Sequence, residues 1–321
     1  MATLRGKALI AYLLVCVFWG STYLAIRVGV EIWPPFLFAG LRFLIAGLLL
    51  AGVARALGYK FPATAVEWRT QAIVGLFLLA GGNAFVVWAE QYIASGVASL
   101  FVVTVALWMA FFDAIVPGGP GRISWRVIAG LAVGFLGTAL LVGTNPREIL
   151  HSDLRGPISL TCASASWAFG SIYFKRHPTQ ASPYVSASIQ MIAGGVFVTL
   201  VGLFAGEAAS FHWSGKAAAA MVYLVIFGSI VGYSSYSYAL RHAPATIVGT
   251  YAYVNPVIAV LLGGLLLHEP VTARTFVAMA LILGAVVWIQ FSHLVAAGRA
   301  ARPAESATPA ANPAGRQPAR T

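Results

Sequence analysis

ALIAYLLVCVFWGSTYLAIRVGV, residues 8–30, is an apolar run whose one charge is Arg27. At about 1.5 Å per helical residue, a run of this length crosses a hydrocarbon core of about 30 Å. Arg5 and Lys7 precede it, as they would in a signal peptide, but the run is too long for an ordinary signal core. No small-residue cleavage site closes it. It reads as a retained transmembrane helix.

The same pattern recurs along the chain. Further spans are expected at about 34–57, 69–91, 95–116, 124–144, 156–176, 183–205, 217–241, 245–267 and 271–293. The breaks between them carry turn chemistry: Trp33-Pro34-Pro35, Gly118-Gly119-Pro120-Gly121, Asn145-Pro146, Ser182-Pro183, Ala243-Pro244 and Glu269-Pro270. Sixty per cent of the 321 residues are hydrophobic and 9% are charged, at a mean hydropathy of +0.84. A soluble domain carries about 25% charged residues.

The net charge of +11 does not point to nucleic acid, because the basic residues sit between apolar segments. With the N-terminus in the cytoplasm, fourteen Lys and Arg fall on the inner side. Five fall outside: Arg27, Arg147, Arg155, Lys216 and Arg274. That bias places both termini in the cytoplasm. Past about Gly298 the chain is mostly Ala, Pro and Arg, so 298–321 reads as a disordered cytoplasmic tail. Cys16 and Cys162 lie inside apolar runs and read as buried, unreactive thiols. No metal-ligand spacing is present, and no cofactor is expected.

An internal repeat turns the count of spans into an architecture. A shift of 148 residues brings Trp19 onto Trp167, Arg27 onto Lys175, Pro35 onto Pro183 and Gly47 onto Gly195. A shift of 150 brings Gly82 onto Gly232, Ala89 onto Ala239, Pro120 onto Pro270 and Gly134 onto Gly284. Five spans are odd in number, so the second copy enters the membrane from the opposite side. The expected fold is an all-α membrane protein of ten transmembrane helices, arranged as two inverted five-helix repeats over 1–147 and 156–293. Inverted repeats are a recurring plan of secondary transporters, with the substrate near the midplane.

Phe18-Trp19-Gly20-Ser21, Leu41-Arg42-Phe43, and Trp88-Ala89-Glu90-Gln91-Tyr92-Ile93 followed by Ser95-Gly96-Val97-Ala98-Ser99-Leu100 resemble the EamA family. This is the ten-helix branch of the drug/metabolite transporter superfamily. The Trp-Ala-Glu-Gln run with Leu107-Trp108-Met109-Ala110 is similar to the YedA-type subgroup. Ala239-Leu240-Arg241 and Asn255-Pro256-Val257 match the second copy. The resemblance covers about residues 8–293 and implies an inner-membrane exporter of amino acids or related metabolites. Two places depart from the family pattern. Gly118-Gly119-Pro120 stands where many members have Glu-Arg or Glu-Pro. Ala106 stands where many have a mid-helix Pro, so a kink is expected only in span nine, at Pro256.

Ionisable side chains inside a membrane are costly and mark function by default. Arg42, within span two, is a candidate for a substrate carboxylate, or else a structural cation tied to carbonyls or a nearby acid. Glu90 and Gln91 end span three, with Asn83 two turns earlier on the same face. Glu90 is the candidate protonatable group for proton-coupled export. Its structural alternatives are a carboxylate in water or a partner of Arg27 or Arg42. Trp19, Trp88, Trp108, Trp167, Tyr233, Tyr236, Tyr251 and Tyr253 are aromatic residues with polar tips. They suit an apolar solute bearing an amine and a carboxylate, or serve packing and the interfacial belt. Tyr236, Tyr251 and Asn255 are the preferred lining residues among the second-repeat helices. Gly130 and Gly134 form a GxxxG that serves packing first and would also suit a homodimer contact.

The expected partners are therefore a small-molecule substrate and the lipid bilayer, with no nucleic acid. A membrane-embedded enzyme is the rival reading, but Asp113 and Asp153 are the only aspartates, and no HExxH, GxSxG or P-loop occurs. A non-transporting scaffold is the other, and the repeat argues against it.

Overall fold

The computed structural model describes residues 6–116, 125–142, 153–242, 248 and 251–300. The Gly118-Pro120, Asn145-Pro146 and Ala243-Pro244 turns and the tail beyond residue 300 lie outside them. No strand occurs among the described residues. The helices are α1 (Lys7–Val30), α2 (Pro35–Ala56), α3 (Ala65–Ala89), α4 (Ser95–Ile115), α5 (Trp125–Val142), α6 (Arg155–Arg176), α7 (Pro183–Phe204), α8 (Gly215–His242), α9 (Tyr251–Leu266) and α10 (Ala273–Ala300). Six of them, α1 to α4, α7 and α8, are long and apolar enough to cross a membrane. α6 is long enough but rich in Ser and Thr, many of them turned inward: Ser159, Ser164 and Ser171 are buried.

Helix starts follow from local chemistry. Pro35 and Pro183 occupy the first turn of α2 and α7, where a missing N–H costs nothing. The Ser182 hydroxyl accepts from Val185 N, and the Ser214 hydroxyl from Ala217 N. Two helices start on a carboxylate from far along the chain. Glu207 accepts from Phe36 N and Leu37 N at 3.2 and 2.7 Å. Glu269 accepts from Ser95 N and Gly96 N at 2.9 and 3.2 Å and from the Ser95 hydroxyl at 2.8 Å. A negative charge at a helix N-terminus meets free N–H groups and the positive end of the helix dipole.

The expectation of a kink only in span nine is corrected at other helices. α9 runs through Pro256 as one helix, while α3 and α8 each widen into a π-helical segment, at Leu76–Ala84 and Leu224–Tyr233. α4 breaks at Thr104, whose hydroxyl donates to Phe101 O at 2.7 Å and draws the chain into a tight turn. A second correction concerns the thiols: Cys16 is buried but Cys162 is exposed.

α2 and α7 cross in backbone contact. A Cβ on Gly47 would stand 2.8 Å from Ile192 N, and one on Gly195 would stand 2.5 Å from Leu44 N. The two contacts are copies of each other, since both residues of the second lie 148 positions from their counterparts. α5 packs on α10 through Gly137, whose Cβ would meet Ile282 at 2.7 Å. Gly134 faces Leu107 within the chain, at 2.3 Å from its virtual Cβ to the Leu107 side chain. The glycine pair in α5 is thus partly committed to internal packing.

Candidate functional site

α1, α2, α3, α4, α6, α8 and α9 together line one small central cavity. Two helical stripes supply much of its wall: Trp19, Thr22, Tyr23 and Ile26 from α1, and Leu79, Gly82, Asn83 and Val86 from α3. Each follows the i, i+3, i+4, i+7 spacing of one helix face. Arg42, Phe43, Val102, Val105, Ala163, Ser164, Trp167, Gly228, Tyr233, Tyr251 and Asn255 complete it.

The cavity has two chemically different parts. One is polar and cationic. Arg42 is 2% exposed, and its Nε donates to the Ser229 hydroxyl at 2.9 Å. Its Nη1 has no hydrogen-bond partner, and neither has Oδ1 of Asn83. A buried donor and a buried acceptor left open in one cavity are costly unless a solute or water completes them. The Asn255 amide, oriented to satisfy its surroundings, donates to Cys16 O and Tyr251 O, both at 3.2 Å.

The other part is an aromatic box. Trp19 lies edge-on to Trp167 at 5.5 Å and to Tyr251 at 5.1 Å, with Tyr236 tilted at 5.1 Å. Trp167 meets Tyr233 edge-on at 6.3 Å and Tyr236 at 5.9 Å. The π segments hold this box in place. Widening a helix frees carbonyls that need new donors. Trp19 Nε1 donates to Gly228 O in α8 at 3.0 Å, and the Ser166 hydroxyl of α6 donates to Phe77 O in α3 at 2.7 Å. Each tryptophan also rests on a glycine of the other half, Trp19 on Gly232 and Trp167 on Gly82.

Of the residues expected from sequence, Trp19, Arg42, Asn83, Trp167, Tyr251 and Asn255 line the cavity. Tyr236 stands behind the wall, its hydroxyl 3.2 Å from that of Ser171. Trp88 instead lies edge-on to Tyr92 at 5.0 Å, and Gln91 turns back to Trp88 O at 3.0 Å. Trp108 packs among Phe111 and Phe112. The side chain of Tyr253 lies outside the described residues. Glu90 is fully buried beside the cavity, and neither carboxylate oxygen has a hydrogen-bond partner. It is shielded from water, while Arg27 pairs with Glu31 at 3.3 Å and donates to the Glu90 main-chain carbonyl. Thr22, Tyr23, Phe43 and Ser164 were not singled out from sequence.

Contacts close both ends. On the Pro35 side, the Glu207 and Glu269 caps join Trp33 Nε1, which donates to His212 O at 2.9 Å. Nearby, hydrogen bonds from Arg155 hold the Asp153 carboxyl below the ordinary carboxylate range, while the Arg155 guanidinium lies over the Tyr92 ring at 4.2 Å. On the Lys7 side, Arg176 pairs with Asp113 at 2.8 Å and Arg241 donates to the Ser186 hydroxyl at 2.9 Å. A buried polar chain runs from the cavity to that side. Tyr233 donates to Gln190 at 2.5 Å, Gln190 to Gln71 at 2.5 Å, and Gln71 to Thr179 at 2.7 Å.

The comparisons with known proteins agree with the motifs. The model of the EamA-like transporter family matches the chain twice, over residues 6–143 and 154–291. The inner membrane transporter YedA of Escherichia coli (strain K12) is 38% identical over 274 residues, covering 85% of this chain and 87% of that protein. The transporter YvbV of Bacillus subtilis (strain 168) is 24% identical over 291 residues, covering 88% and 90%. A solved crystal structure with 22% identity superimposes with a TM-score of 0.62, covering 90% of this chain and 99% of the other, and is similar in fold. On the two family matches and the YedA likeness, this multi-span, all-helical chain belongs to the EamA-like transporter family.

Proposed function

We propose that this membrane transporter exports an amino acid or a related small zwitterion by alternating access. The observation that carries the reading is the two-part cavity. Arg42 Nη1 offers an open donor to a carboxylate, Asn83 Oδ1 an open acceptor to an ammonium, and the aromatic box holds an apolar body or a cation over its ring faces. The rival readings, a membrane-embedded enzyme or a scaffold, give no use for this pair of open groups.

The mechanism takes the chain as ten spans in two inverted units, 1–147 and 156–293, with both termini and the 298–321 tail in the cytoplasm. Paired contacts support the inversion: Gly47 with Ile192 mirrors Gly195 with Leu44, and Trp19 on Gly232 mirrors Trp167 on Gly82. The π segments of α3 and α8 lie at corresponding places in the two units. Two copies facing opposite ways give two arrangements of similar energy, each opening the cavity to one side. Glu90, buried and unpartnered next to the cavity, is the proposed proton carrier.

The test is solute flux in vesicles holding the purified protein, with candidates drawn from metabolites that accumulate in cells lacking it. Flux of a zwitterion that Arg42→Gln abolishes supports the reading. Absence of flux for every accumulated solute sinks it.

A further inference from the structure

A second recess, more open than the central cavity, lies on the Lys7 side between α1 and α2, with α8 as its floor. α1 and α2 meet tightly at their hairpin, where a Cβ on Gly29 would stand 2.1 Å from the Phe38 ring. They part toward the Lys7 end, and α8 fills only the depth of the resulting wedge. From the mouth inward, the groove passes through three layers. Lys7, Tyr59 and Tyr184 stand at the mouth, with exposed Arg55 on the adjacent turn of α2. The hydroxyl groups of Tyr238, Ser235 and Ser234 come next. Leu14, Leu50 and Ile230 line the deep end.

Ser234 is the unusual member. It is 6% exposed, and its hydroxyl has no partner. A helical serine usually bonds back to the carbonyl of the preceding turn. This one is left without a partner just beneath the groove floor. No carboxylate is among the residues that line the groove.

We infer that the groove is a binding site for one anionic glycerophospholipid. Cation, hydroxyls and hydrocarbon follow one another in the order of phosphate, glycerol esters and acyl chain. Lys7 and Arg55 meet the headgroup, the partly exposed Ser235 and Tyr238 hydroxyls donate to the ester oxygens, and one acyl chain lies between Leu14 and Leu50. Ordinary boundary lipid needs neither the wedge nor the hydroxyls. The site is separate from the central cavity, and the inference stands whichever solute that cavity carries.

The full-length protein, purified in detergent and incubated with phosphatidylglycerol or phosphatidylethanolamine of matched chains, is examined by intact-complex mass spectrometry. One phosphatidylglycerol should stay bound under collisional activation that strips phosphatidylethanolamine. Val53→Trp fills the groove from an exposed position, 54% accessible, and should remove it. Lys7→Gln should cut the preference about fivefold, the order expected for one cation at an anionic membrane surface. Leu48→Trp, also on α2 and 56% exposed but outside the groove, should change nothing. Equal retention of the two lipids overturns the inference. So does equal loss in Val53→Trp and Leu48→Trp when both variants melt like the parent.

Discussion

The Trp19 indole is seated on Gly232: a Cβ there would stand 2.5 Å from Nε1, the atom that donates to Gly228 O. Side chain, glycine and carbonyl form one unit at the junction of α1 and the π segment of α8. Gly232→Ala must push the indole away and break its hydrogen bond. The expected cost is about 1–3 kcal/mol in stability, with flux reduced more than the amount of folded protein. Gly82→Ala, 2.8 Å from Trp167, should behave alike, whereas Gly52→Ala, which meets nothing within 4 Å, should be silent. Flux and thermal melting of the three variants decide it.

Arg42→Gln removes the open donor of the cavity. A hydrogen bond to a charged group contributes about 1.5–3 kcal/mol, so the apparent affinity for a carboxylate-bearing solute should fall roughly ten- to a hundredfold. Arg42→Lys keeps the charge but cannot reach Ser229 and the cavity at once, and should recover only part of the loss. Uptake by vesicles over a range of solute concentration separates the three proteins. A carboxylate-free analogue should be indifferent to both changes.

Glu90→Gln keeps the volume and discards the ionisable oxygen. Net export driven by a proton gradient should be lost while exchange of labelled for unlabelled solute continues. Parallel measurement of the two modes, with and without an imposed gradient, is the check. Unchanged gradient dependence removes Glu90 as the proton carrier.

Gln71 and Gln190 share a hydrogen bond in a place where neither meets solvent, at 0% and 1% exposure. Gln71→Leu alone leaves the Gln190 amide unpaired, which costs about 1–3 kcal/mol. Gln71→Leu with Gln190→Leu should cost less than the sum of the two single changes, since partnered groups are removed together. The double variant also cuts the polar chain from Tyr233 to Thr179, and its flux should fall even where its melting temperature is restored.

What the sequence made legible follows from what kind of signal each residue sends. Arg42 and Asn83 stand out because polar groups are rare in apolar runs. Trp19 and Trp167 stand out because they share an offset. Thr22, Tyr23 and Ile26 sit three, four and seven places after Trp19, so extending its helical face would have found them. Trp88 and Trp108 were chosen by residue type alone. Trp88 falls off the Leu79–Gly82–Asn83–Val86 face, and Trp108 packs against Phe111 and Phe112 of its own helix. The π segments send no such signal. A widened turn depends on donors from α1 and α6 that local sequence does not name.

Glu269 clasps the start of α4, whereas the residue 150 places earlier in the sequence is Gly119, which carries no side chain. The proposed alternating cycle must break the Glu269 clasp to open the Pro35 side, so the clasp favours the arrangement with that side shut. A site available for only part of the time binds with proportionally weaker apparent affinity. Half-saturation should then differ between the two faces of an oriented vesicle. For a passive cycle the ratio of maximum rate to half-saturation must still be equal on both, so the face that loads poorly is also the one that runs fast once loaded. Glu269→Ala should bring the two faces together.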